Sequence, residues 1–292
     1  LVNRALQSGD MLFGSDVLLV FYYARALIGQ SLAQGHLPTW DSHVFCGFPL
    51  LAAMQSAVFY PPTWLFAVLK PGAAWTATVF VHLVLAGAFA YLWLRRSLGA
   101  SPWAALLGAL ADMLPAYLLG HTYAGHLSLV SAYPWIVAVL WRLDRMLRKP
   151  TAKRAMLVAF ALALLVFAGY PMFAFFAGLL AAAMLAHHLA TTSGPGRFKS
   201  VGLSVLALGL GALICAPQLL PTLELVRQTQ RASGSLWEFA TSYSLPPENL
   251  LTLLMPDFFG QGTAESPYWG RWIVWEVQAF VGVSTLALAL VG

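Results

Sequence analysis

Long stretches of this chain carry almost no charge, and that constrains the fold more than any motif does. Seven of them, 76–94, 102–119, 125–141, 153–168, 171–190, 200–220 and 273–292, are apolar over close to the roughly 20 residues that a bilayer-spanning helix requires. The predicted fold is an all-α, polytopic transmembrane helix bundle with long outer loops. Of all residues, 60% are hydrophobic and 9% charged, where a soluble domain carries about 25% charged residues. The soluble classes are therefore excluded, and the lipid bilayer is the first partner. The net charge of +5 predicts no nucleic-acid partner. That partner needs a solvated basic face, and these charges sit in short clusters between apolar runs.

The stretch 155–190 reads as two spans. As one helix it would be about 54 Å long, too long for a hydrocarbon core of about 30 Å. Gly169-Tyr170-Pro171 interrupts it, because proline lacks an amide N–H and disfavours helix in the residue before it. A re-entrant hairpin is the alternative and keeps the same parity. Charge then orients the spans. Arg95 and Arg96, then Arg142, Arg145, Arg148, Lys149, Lys153 and Arg154, then Arg197 and Lys199 occupy alternate connections, with Asp144 as their one acid. The positive-inside rule makes these connections cytoplasmic. The chain divides into a first outer loop (1–75), a six-span bundle (76–220), a second outer loop (221–272) and a last span (273–292). It starts without Met and stops inside an apolar run, which reads as a piece of a longer protein. Cys46 and Cys215 give no disulfide framework.

The outer loops carry the candidate chemistry. Residues 17–34 read as an amphipathic helix lying in the membrane interface. Gly14-Ser15-Asp16 marks its start, with Ser15 or Asp16 as N-cap. Asp16 has two compatible readings, a helix cap and a catalytic carboxylate at the membrane surface. Asp10 is a further candidate. Trp40, Phe45, Phe48, Phe59, Tyr60 and Trp64 suit a packed cap at headgroup level. Asp257, between Pro256 and Gly260, reads first as a turn residue and second as a ligand. Glu276 enters the last span, where an acid is costly unless paired. Residues 120–126 read as a short outer loop bearing His121 and His126. Their spacing is not the i, i+4 of a helical zinc pair, so contact with a phosphate or sugar hydroxyl is preferred and no metal ligand is assigned. No cofactor is fixed, although a divalent metal is compatible with these acids. Asp112 lies mid-span and, by depth, would meet His82 of the preceding span. A structural pair is preferred there over a proton or ligand role.

Several blocks, taken in order, resemble the YfhO-like bacterial membrane proteins. They are Gly14-Ser15-Asp16, the segment from Leu37 through Trp40-Asp41 to Pro61, and residues 120–135. Ala168-Gly169-Tyr170-Pro171, residues 216–224, residues 245–260 and Trp275-Glu276 through Val283 complete them. The order is more specific than any single block. The chain departs from the pattern at Trp40-Asp41-Ser42, where the family tends to Trp-Asn-Pro, and at Asp112. The resemblance implies a multi-helix glycosyltransferase of the bacterial cytoplasmic membrane. Such an enzyme takes a sugar from a polyprenyl-phosphate carrier and passes it, with inversion, to a cell-envelope polymer, lipid or protein on the outer face. Asp16 matches the acidic position of the family's first outer loop. Arg231 and Arg271 are then candidates to balance the leaving phosphate, and Asp41, His121, His126, Asp257 and Glu276 are candidates to bind substrate. The competing expectation is a multi-span transporter or lipid flippase, in which Asp112, His82 and the break at Gly169–Pro171 would form a mid-membrane site. A cavity at the outer surface near Asp16 separates the first from the second.

Overall fold

The computed structural model describes residues 16–17, 21–194, 196–229, 234, 237, 241–263 and 265–291. Among them there is no β-strand, only one isolated bridge between Asp41 and Phe48. Helix α1 (Tyr22–Ala33) precedes an irregular segment with short helical turns at Met54–Ser56, Pro61–Trp64 and Leu65–Val68. Then follow α2 (Pro71–Arg96), α3 (Pro102–Met113), α4 (Ala116–Ala124), α5 (Leu127–Arg148), α6 (Ala152–Phe167), α7 (Pro171–Thr191) and α8 (Gly196–Arg227). A second irregular segment contains turns at Pro247–Leu253 and Val274–Val277 and leads to α9 (Val283–Val291).

Helix starts and stops follow local chemistry. Proline opens α2, α3 and α7 at the first turn, where its missing N–H costs nothing. Ser101 caps α3 by accepting a hydrogen bond from the Ala104 amide at 3.2 Å. Arg95 and Arg96 close α2, and Arg145 and Arg148 close α5, where cations favour the helix dipole. The predicted interruption holds: α6 ends at Phe167, Gly169 turns with φ +90°, and Pro171 starts α7.

The chain is a helical membrane protein, with five candidate spans among the described residues rather than seven. Long and apolar enough are α2, the α3–α4 pair (Pro102–Ala124), α5, α7 and α8. The expected span 153–168 is instead the 16-residue α6, about 24 Å long and short of a 30 Å core. It still runs the same way through the bundle. Its first turn reaches the end of α5, where Arg154 donates to the Arg145 carbonyl, and Gly169, just past its end, lies against Met54 and Gln55. The expected span 273–292 breaks into a four-residue turn and the nine-residue α9. Residues between them lie along α4 instead, and the Ala116 amide donates to the Phe280 carbonyl at 3.4 Å. The expected outer helix is present as α1, with Asp16, Val17 and Phe21 helical as well and 18–20 outside the described residues. It docks by burying Arg25, Ile28 and Gly29 and does not rest on an amphipathic face.

The main core lies where α2, α4, α5, α6 and α7 meet, around Trp75, Val79, Leu118, Leu129, Leu165 and Phe173. A second cluster joins α5, α6 and α8 through Met146, Val158, Ala159 and Ala207. Outward-facing Leu107 and Leu213 are about 70% exposed, the inverse of a soluble core and what a lipid solvent favours. Asp112 and His82 do not pair. Asp112 Oδ1 accepts from the Tyr133 hydroxyl at 3.1 Å. His82 Nδ1 donates to the Thr78 carbonyl at 2.5 Å, so its Nε2 accepts from Tyr60 at 2.6 Å. The reason is that the first irregular segment enters the bundle and supplies Tyr60, which Trp135 Nε1 also reaches at 2.7 Å.

Candidate functional site

Two prolines and two glycines assemble the site. Pro115 interrupts the path between α3 and α4, since it lacks an amide and restricts Leu114 before it. The helix restarts and carries Gly120 and His121 within α4, so the expected loop 120–126 is helical through Ala124. Gly125 then turns the chain with φ +98°. A Cβ there would lie 2.8 Å from the Val17 amide nitrogen, so only glycine lets the backbone beside Asp16 come so close. On the other side, a Cβ on Gly169 would meet the Met54 carbonyl and come within 3.2 Å of Gln55 Cα. Pro171 fixes the turn that follows.

The result is a line of ionisable groups. His126 Nε2 lies 2.9 Å from Asp16 Oδ2, and His126 Nδ1 lies 2.6 Å from His121 Nδ1. The carboxylate can only accept, so His126 Nε2 carries a proton. In the neutral ring His126 Nδ1 then accepts from His121 Nδ1–H. That leaves the lone pair of His121 Nε2, a fully buried atom with no hydrogen-bond partner. Glu276 completes the group: ligand atoms of His121, His126 and Glu276 all lie within 4.8 Å of one another. Burial pushes the Glu276 carboxyl above its ordinary range, His126 opposes the rise, and Asp16 adds to it. Two imidazoles and a carboxylate form a donor set suited to a divalent metal, and the orphaned His121 nitrogen fits that use. The Gly125 turn brings together two histidines that the spacing of a continuous helix would keep apart.

A cavity of about 200 Å³ opens beside this line, lined by Phe21, Gln55, His126, Ser128, Tyr170 and Glu276, with Leu129. Behind its Gln55–Ser128 wall lies Arg25, 2% exposed. Arg25 Nη1 donates to the Ser56 carbonyl and Thr63 Oγ1, both at 2.7 Å. Its Nη2 donates to the Gln55 carbonyl at 3.0 Å and Ser128 Oγ at 3.1 Å. None of these partners is a carboxylate. Burial lowers the guanidinium to about 10, with Tyr60 opposing, so it remains a cation at neutral pH. Burial and then Glu276 push the Tyr170 hydroxyl up. The cavity therefore has a cation behind its Gln55–Ser128 side and the Glu276 carboxyl in its lining, with Asp16 held behind His126.

Of the expected site residues, the structure brings Asp16, His121, His126 and Glu276 together. Asp16 is itself helical, and Ser15, the other expected cap, lies outside the described residues. Asp41 serves its own loop, accepting from the His43 amide at 2.8 Å and facing His43 Nδ1 at 3.1 Å. Asp257 accepts from Gln261 in an exposed turn closed by the Gly260 amide. Arg271 makes a two-pronged pair with Glu248 at 2.5 and 2.7 Å, which occupies the fork expected to meet a phosphate. Asp10 and Arg231 lie outside the described residues. Sequence reasoning missed Arg25, Gln55, Ser128 and Tyr170. Only Arg25, a lone cation inside an apolar helix, carried a signal.

No protein-family model, curated protein or solved structure matches this chain.

Proposed function

We propose that the chain is a membrane glycosyltransferase that moves a sugar from a polyprenyl-phosphate carrier to a cell-envelope acceptor, working at the Asp16–His126–Glu276 cavity. The observation that carries this reading is the cavity's position. It lies at the helix ends around His126 and Tyr170, not at mid-membrane around Asp112, and it pairs carboxylates with a buried cation. Its volume is below the roughly 300–1,000 Å³ of drug-sized pockets, so it takes the reacting end of a lipid-linked sugar while the tail stays in the bilayer.

In this reading Glu276 faces the acceptor and takes its hydroxyl proton, a role that a raised carboxyl pKa suits. The acceptor oxygen bonds the anomeric carbon as the carbon–oxygen bond to phosphate breaks. Inversion follows, and the electron pair leaves on the phosphate. Asp16 holds His126 in the proton-bearing orientation beside Glu276. Arg25 supports the phosphate charge through the Gln55–Ser128 wall. By the positive-inside rule the cavity faces outward, with the basic connections in the bacterial cytoplasm.

The test is incubation of purified protein with labelled polyprenyl-phosphate sugars and envelope acceptors. Transfer of label is expected, falling about 10²–10⁴-fold in Glu276→Gln and Asp16→Asn with melting near wild type. Near-normal transfer by both folded variants sinks the assignment. Label crossing sealed vesicles unchanged would instead support the transporter reading.

A further inference from the structure

The end of the bundle opposite this cavity holds a second one, of about 380 Å³, lined by Arg96, Arg142, Arg145, Lys153, Arg154 and Leu157. Its walls come from the end of α2, the last turns of α5 and the first turn of α6. Arg142 follows His126 by about 16 residues along α5, so the two cavities are separated by about 24 Å. Five cations face the space and no acid does. The one acid of these connections, Asp144, is held by Arg148 at 2.9 Å, outside the lining. Arg154 is fixed by donating to the carbonyls of Arg145 and Lys149, and Arg142 stacks on Trp141 with its guanidinium carbon 4.1 Å from the ring centroid. Like charges gathered and oriented this way repel one another unless an anion neutralises them.

We propose that this pocket binds the phosphate headgroup of an anionic membrane lipid, one carrying more than one negative charge. Basic pockets between helices at a membrane surface recognise multiply charged lipid headgroups. Free phosphate offers the same oxygens. The lining favours the lipid, because Leu157 opens the pocket toward an apolar strip. Beside it on α6, Met156 and Phe160 are 60% and 56% exposed, which gives acyl chains a surface to follow. The inference stands whether or not the chain transfers sugars.

The test uses the purified chain in nanodiscs of phosphatidylcholine, alone or with diphosphatidylglycerol. Native mass spectrometry after transfer to neutral detergent reads the diphosphatidylglycerol retained per chain, and inorganic pyrophosphate serves as the soluble competitor. Wild type and Arg148→Gln, whose charge lies outside the lining, should retain the lipid. The double variant Arg142→Gln/Lys153→Gln should retain it about thirtyfold less, about fivefold per charge removed. Melting in phosphatidylcholine alone checks its fold. Lys153→Gln by itself, at an exposed position, should still show the fivefold loss if the double variant is unstable. Equal retention by these variants overturns the site. Wild-type binding of pyrophosphate with no lipid retained overturns the lipid assignment in favour of a soluble anion.

Discussion

Replacing Arg25 by lysine tests whether a dehydrated cation sits behind the cavity wall. The fall of the guanidinium from 12.5 to about 10 corresponds to about 3 kcal/mol of charge burial. The same burial acting on a lysine, whose ordinary pKa is about 10.4, brings it to about 8. Below pH 8 the lysine is protonated in both folded and unfolded chains, and the folded state bears the full cost of about 3 kcal/mol. Between pH 8 and about 10.4 the unfolded chain binds more protons than the folded one. Stability of Arg25→Lys should therefore rise with pH across that window relative to wild type. Tyr60, the titratable group facing Arg25, is pushed upward by its burial and stays neutral throughout. Arg25→Met serves as the control. It leaves the Ser56 carbonyl and Thr63 hydroxyl without the Arg25 donor, at about 1–3 kcal/mol each, and that deficit should not depend on pH. The assay is thermal unfolding in neutral detergent at pH 7, 8.5 and 10, taken as the difference from wild type at each pH. A lysine deficit that is flat over that range refutes the claim that Arg25 is dehydrated.

Three further outcomes are expected. Gly125→Ala should destabilise by about 1–3 kcal/mol, through a left-handed φ that disfavours a Cβ and the approach of Val17, and should lower transfer as Asp16→Asn does; unchanged melting and transfer would remove the close approach from the argument. Tyr60→Phe and His82→Leu should be strongly non-additive in a double-mutant cycle, while Asp112→Leu and His82→Leu should add within about 0.5 kcal/mol. In a background without Cys46 and Cys215, Ser42→Cys should react with an impermeant thiol reagent in intact cells and Ser193→Cys should not; the reverse labelling overturns the orientation.

The helices were legible because lipid imposes a length and an apolar composition that sequence shows directly. The break at Gly169–Pro171 and the turn at Asp257–Gly260 were legible for the same kind of reason, since proline and glycine act locally. Span counting failed where length alone had to decide. Residues 153–168 are apolar but form a helix of only 16 residues, and 273–282 are apolar because they pack on α4. The site was half legible. Asp16, His126 and Glu276 stand out as polar groups beside apolar runs, but nothing in the spacing of His121 and His126 shows a turn between them. Pro115 and Gly125 were the available signals, one restarting the helix early and the other turning it. The Asp112–His82 pairing failed because depth along two helices says nothing about a third segment, here Tyr60, reaching in between.

That third segment decides what the site can do. The chain between α1 and α2 is fastened into the bundle by polar contacts at four places. Arg25 grips the Gln55 and Ser56 carbonyls, Tyr60 joins His82 to Trp135, Gln218 donates to the Leu51 carbonyl at 2.9 Å, and Thr222 donates to the Ala52 carbonyl at 2.8 Å. Each is buried or half-buried, so releasing one leaves polar groups unsatisfied in apolar surroundings. An alternating-access motion that moved this segment against α5 and α8 would break several of these contacts at once. A transfer reaction requires the opposite, a wall that stays put while charge shifts from a hydroxyl to a phosphate. The buried Arg25 behind the Gln55–Ser128 side and the Glu276 carboxyl in the lining serve one small cavity, with Asp16 joined to it through His126. A fastened wall of this kind is what the proposed transfer step at the membrane surface needs.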